Sequence, residues 1–165
     1  MIRRTPMFVS IAVMSAALLG AGTRVSAQTQ IEDGWLGTWK ENIDKSTYRP
    51  GPAPKSPSVA KWERDGQGLK ITTDLTDEKG APGHWAITSQ LDGKDAPITG
   101  GPAGMTRSVK LLEPRTYEIV TKMGGKELTT TRAILSPSGQ LLRFVTSGAN
   151  AQGQAVSDII IWEKQ

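Results

Sequence analysis

Two arginines stand where strand alternation can turn them toward an apolar interior. Between Met105 and Leu111, alternation groups Arg107 with Met105, Val109 and Leu111. Between Leu128 and Ile134 it groups Arg132 with Leu128, Thr130 and Ile134. A guanidinium stays charged when buried and grips a carboxylate or phosphate through two parallel N–H donors. Facing one interior, such groups would receive an amphipathic anion, such as a fatty acid or an acidic aromatic compound. Tyr117 shares a face with Ile119 and Met123 and adds a phenol. Trp62, Trp85 and Trp162 fall in strands, where they either fill core or stack on a ligand. The candidate ligand-binding set is therefore Arg107, Arg132, Tyr117 and Trp85. The opposing reading is structural. A one-residue slip of register turns each of these side chains to solvent, and an inward arginine can instead cap Trp39 or pair with Asp158.

Other chemistries find less support. His84 is the single histidine, so a histidine-rich metal site is excluded, and no HExxH pattern or acidic metal loop accompanies it. A Ser-His-Asp triad can assemble across a fold, yet no serine lies in a Gly-x-Ser-x-Gly elbow. Asp74, Asp77 and Glu78 cluster where a turn favours aspartate anyway. Gly100-Gly101-Pro102-Ala103-Gly104 lacks the following helix and lysine of a phosphate loop. No catalytic residue, metal ligand or cofactor is assigned.

The elements that must position these residues follow from pattern and composition. Arg3 and Arg4, an apolar run from Met7 through Gly22, and Val25-Ser26-Ala27 form the three parts of a secretory signal, with Gln28 as the first mature residue. The charge pair leaves open general or twin-arginine export. Export implies a periplasmic or extracellular location. Removing residues 1–27 from 165 leaves 138, the size of one domain. Arg3, Arg4 and Arg24 leave with the leader, so the mature balance is 17 basic against 16 acidic residues. That near-neutral balance removes the electrostatic case for nucleic-acid binding. No second apolar segment follows, so no membrane span is expected after processing, and a monomer is the expected state. The absence of cysteine excludes disulfides, thiolate sites and a thioether lipid anchor.

After a mobile polar lead-in from Gln28 to Asp33, Gly37-Thr38-Trp39-Lys40 opens the first strand. Residues 42–57 read as an irregular proline-rich loop around Pro50, Pro52 and Pro54. From Pro57 onward, short apolar/polar alternations recur, each closed by a turn signal such as Asp65-Gly66, Asp92-Gly93 or Gly124-Gly125. Nine or ten strands result, with no helical period long enough for a crossover helix. The predicted fold is all-β: an antiparallel up-and-down meander of eight to ten strands closed into a barrel. A two-sheet sandwich is the alternative.

Gly37-Thr38-Trp39 resembles the Gly-x-Trp signature of lipocalins, and Gly37-Thr38-Trp39-Lys40 resembles the opening of the related fatty-acid-binding barrels. That resemblance implies a tryptophan packed across the closed end of a barrel, under a basic side chain from a late strand. It also implies a helical lid after the first strand, where this chain instead holds its prolines. Gly37 to Asn42, Lys45-Ser46 and Pro50 to Lys55, with Leu91 to Asp95 and Asn150 to Gln154, resemble a group of uncharacterised exported bacterial proteins. The implied role is non-enzymatic binding of a small, partly apolar and optionally anionic ligand. Two alternatives stand beside it: a packed interaction domain of the cell envelope without a small-molecule ligand, and a hydrolase-like enzyme with its site at the barrel mouth.

Overall fold

The computed structural model describes residues 31–77 and 79–165. The expected leader at residues 1–27, the start of the lead-in and Glu78 lie outside the described residues. Ten strands form, nine of them on the predicted alternations, while the remaining one, Asp92–Pro97, takes in the Asp92-Gly93 pair expected as a turn. They are β1 (Gly37–Thr47), β2 (Val59–Asp65), β3 (Gly68–Thr76), β4 (Pro82–Ser89) and β5 (Asp92–Pro97), then β6 (Met105–Glu113), β7 (Thr116–Met123), β8 (Lys126–Leu135), β9 (Leu141–Ala149) and β10 (Ala155–Lys164). One 3-10 turn, Asp33–Trp35, precedes them. Among the described residues no helix is long and apolar enough to cross a membrane.

All ten strands belong to a single antiparallel sheet in the order β4-β3-β2-β1-β10-β9-β8-β7-β6-β5. The first and last strands of that order approach each other, giving a nearly closed up-and-down barrel consistent with the calycin-type fold. No second sheet forms among the described residues, so the sandwich alternative is not adopted. Between β4 and the far edge the ladder stops. A single bridge crosses the seam: the Ala86 N–H donates to the Thr99 oxygen at 2.9 Å, and the Thr99 N–H to the Ala86 oxygen at 2.8 Å.

Gly100 explains how the seam is drawn together. Its φ is +80°, and a Cβ there would stand 2.0 Å from the His84 carbonyl oxygen. Glycine alone permits both the left-handed backbone and that approach. Gly100→Ala should therefore destabilise the fold by about 1–3 kcal/mol. A lowered urea midpoint with an unchanged slope would show it, and an unaltered midpoint would mean the seam does not need the glycine.

Two expectations at the N-terminal side change. β1 runs on to Thr47, so the irregular segment starts at Tyr48 rather than at residue 42. A register shift between Asn42 and Thr47 lets this half of the strand bend while still pairing with β10. The prolines then carry the chain to β2 without a helix. Ile31 and Asp33 are not a free lead-in: Ile31 is buried, and Asp33 pairs with Arg64 at 2.7 Å.

The barrel interior divides into two halves. Leu69, Val109, Tyr117, Leu135 and Leu142 pack with Trp35, Trp39 and Trp62 at the closed end, all essentially without solvent contact. Trp39 donates its indole N–H to the Trp35 carbonyl at 3.0 Å. The Lys164 ammonium, from β10, lies 5.3 Å from the Trp39 ring centre. A basic residue of the last strand thus covers this tryptophan as the barrel resemblance implies, but it is a lysine and neither candidate arginine. Trp62, stacked on Trp35 at 5.5 Å, joins this plug to a cavity among the other inward faces.

Candidate functional site

The cavity has a volume of about 250 Å³. Its walls come from nearly every strand. β3 contributes Ile71, Thr73 and Leu75, the face its alternation predicts. β4 contributes Trp85, β6 Arg107, β7 Ile119 and Thr121, and β8 Thr129 and Thr131. Trp62, Phe144 and Trp162 add aromatic wall. Phe144 lies 6.3 Å from Trp62 and 5.8 Å from Trp162 by ring centres, so the three form one continuous surface.

Arg107 is the charged side chain of this lining. Inward alternation on β6 carries it beside Val109, whose exposure is 1%. Its Nε–H donates to the Thr121 hydroxyl at 3.1 Å. Its guanidinium carbon stands 5.3 Å from the centre of the Trp85 ring, a cation–π contact. Among the described residues no carboxylate pairs with it, and its remaining N–H groups have no protein partner. Arg107 keeps some accessible surface because it faces the cavity, yet burial pulls its pKa down to about 10. It remains charged at neutral pH. A guanidinium withdrawn from bulk water, with donors open to the cavity and no carboxylate beside it, is a seat for an anion.

The other candidates separate. Trp85 joins Arg107 directly. Arg132 does not: it is exposed on the outer wall of β8. Thr130, Arg132 and Ile134 share the outward parity in unbroken register, and a bulge separates Leu128 from them. Thr121 opposes Thr129 while Lys122 opposes Glu127, so Leu128 is an extra residue in β8. Thr129, Thr131, Ala133 and Leu135 then face inward, and Leu128 no longer marks the inner face on which Arg132 was placed. Tyr117 does face inward, but into the closed end. Its ring centre is 4.4 Å from that of Trp35, and burial pushes its phenol up to about 12. It supports the plug beneath the cavity and does not line it.

His84 lies on the outer surface, with Nδ1 2.6 Å from the Asp74 carboxylate across the β3–β4 ladder. Both side chains are mostly exposed. Asp158 accepts the Arg49 backbone N–H at 2.7 Å and pairs with no arginine side chain.

Two features escape strand-pattern reading. The first is a hydroxyl lining: Thr73, Thr121, Thr129, Thr131 and Thr146 all reach the cavity, with Thr131 and Thr146 hydrogen-bonded at 2.8 Å. Threonine favours strands on either face, so only its inward parity distinguishes these positions. The second lies outside the cavity lining: Glu41, buried to 6% exposure. Its carboxylate accepts the Tyr48 hydroxyl at 2.7 Å and the Ser58 backbone N–H at 2.9 Å, fastening both ends of the proline-rich segment. Burial, then Glu41, pushes the Tyr48 phenol up. The sequence signal for Glu41 is its place two residues after Trp39 on the inward face of β1.

Comparison with protein-family models gives no match, and comparison with curated proteins gives none. The assignment therefore stands on fold and site.

Proposed function

We propose that this chain is an exported, non-enzymatic binding protein that sequesters a small, partly apolar anion inside its barrel. The observation that carries the reading is Arg107: a half-buried cation without a carboxylate, held by Thr121 and Trp85, with donors left over in a cavity. Apolar and aromatic walls take the body of the ligand, and the guanidinium orients its head. Residues 1–27 are its export signal. The mature protein is a periplasmic or extracellular monomer that binds neither nucleic acid nor membrane. Its relatives are the exported bacterial proteins that share its proline-rich and Asn150–Gln154 motifs.

Native mass spectrometry of protein purified gently from its own envelope tests this. A retained small anion, released by acid, is expected. A clean unliganded mass, together with no binding from a panel of organic anions, would overturn the proposal.

The charge on Arg107 also sets a pH limit. Burial lowers the pKa of Arg107 to about 10 in the folded protein, below that of the same group in the unfolded chain. Between the two the unfolded state binds more protons, so this group's contribution to stability rises with pH. Ligand binding runs the other way: it should be flat through neutral pH and fall as the pH passes about 10. Affinity measured from pH 8 to 11 by tryptophan fluorescence should show this loss. An affinity independent of pH over that range would mean Arg107 does not hold the anion.

A further inference from the structure

We infer that the ligand is a small hydroxylated aromatic acid and not a long-chain fatty acid. This rests on the anion-binding reading above and narrows it.

Size is the first argument. The cavity holds about 250 Å³, below the roughly 300–1,000 Å³ of sites for drug-sized ligands. It cannot deepen past Trp62 in its wall, because Trp35 is stacked 5.5 Å behind that ring and is fully buried with Trp39. A long alkyl chain would have to leave through the open side of the cavity.

The lining chemistry points the same way. Thr129, Thr131 and Thr146 place hydroxyls on the β8–β9 wall. Thr131 and Thr146 are bonded to each other, so an alkyl tail would strip water chiefly from the Thr129 hydroxyl and return no hydrogen bond. A ring hydroxyl would pair with it. Opposite Arg107 stands the aromatic surface. In the circular strand order β2 and β10 each lie four strands from β6, and they carry Trp62 and Trp162. Aromatic rings pack on such a surface in offset or edge-to-face contact. The carboxylate therefore sits at Arg107, the ring reaches toward Trp62, Phe144 and Trp162, and the hydroxyl meets the threonines.

Isothermal titration of the mature protein and of Arg107→Gln distinguishes the possibilities. The probes are 4-hydroxybenzoate, its neutral amide 4-hydroxybenzamide, glucuronate and hexadecanoate. The wild type should bind 4-hydroxybenzoate at least about tenfold more tightly than each of the others. In Arg107→Gln the advantage of acid over amide should vanish. Tighter binding of hexadecanoate or glucuronate, lost in Arg107→Gln, would overturn the aromatic assignment while leaving the anion site standing. Failure of the wild type to bind any of the three acids would remove both.

Discussion

Arg107→Met should abolish anion binding and leave the unliganded protein at least as stable as before. Removing one member of a buried charge pair costs about 2–5 kcal/mol of binding, a loss of roughly 30-fold or more. The apo protein behaves differently because it has no anion to lose. There the guanidinium is already penalised by burial, as its lowered pKa shows. Methionine fills similar space without the charge, and such exchanges are neutral or stabilising by about 1–4 kcal/mol. The Thr121 hydroxyl and the Trp85 face lose a partner, which offsets part of that gain. Opposite movements of affinity and stability mark a residue placed for function. Titration with 4-hydroxybenzoate and a urea melt read the two effects separately. Arg132→Gln, on the outer wall, should change neither. A destabilised Arg107→Met protein that still binds would make the arginine a structural element.

Trp39→Ala should be the most damaging single change to the fold. The side chain is fully buried, donates to the Trp35 carbonyl at 3.0 Å and carries Lys164 above its ring. Truncating a buried tryptophan costs about 3–5 kcal/mol, and the lost hydrogen bond adds about 1. Domains of this kind have about 5–15 kcal/mol in total, so much of the population should unfold in mild denaturant. Lys164→Met should cost far less, about 0.5–2 kcal/mol for a partly desolvated cation–π contact. Equilibrium urea unfolding of the two variants gives the comparison. Similar losses would mean that the lysine, and not the ring packing, holds the closed end.

The strand register was legible wherever alternation ran unbroken. Leu69, Ile71, Thr73 and Leu75 point inward as their spacing implies, and so do Val109 and Arg107. It failed at Arg132 because a bulge is a local backbone event with little residue signature. Leu128 and Ile134 on one face balance Ala133 and Leu135 on the other, so hydrophobicity alone could not choose between them. Gly148 records the bulge from the neighbouring strand: a Cβ there would stand 2.2 Å from the Leu128 carbonyl oxygen. Tyr117 was placed on the correct face but at the wrong height. Alternation gives the side of a strand and says nothing of how deep the aromatic plug rises. The Gly37-Thr38-Trp39 opening did carry depth, because its tryptophan marks the closed end.

The hollow half was not readable at all. Whether Val109 and Ile119 fill a barrel or line a space depends on how ten strands curve together, which no local pattern encodes. The same holds for Arg107 and Trp85, which lie 22 positions apart and meet only because β4 and β6 face each other near the seam. Glu41 was missed for a related reason. A lone glutamate in a strand reads as solvent-facing until Tyr48 and Ser58 are brought to it by the turning prolines.

The most direct test follows the Arg107 side chain itself. In a nitrogen-15 labelled protein, its Nε–H resonance can be identified by its loss in Arg107→Lys and tracked during titration with 4-hydroxybenzoate. The account predicts a saturable shift of that resonance, with the Trp85 indole signal moving at the same midpoint. Binding that leaves the Arg107 resonance unmoved, or no binding at millimolar ligand, would contradict it.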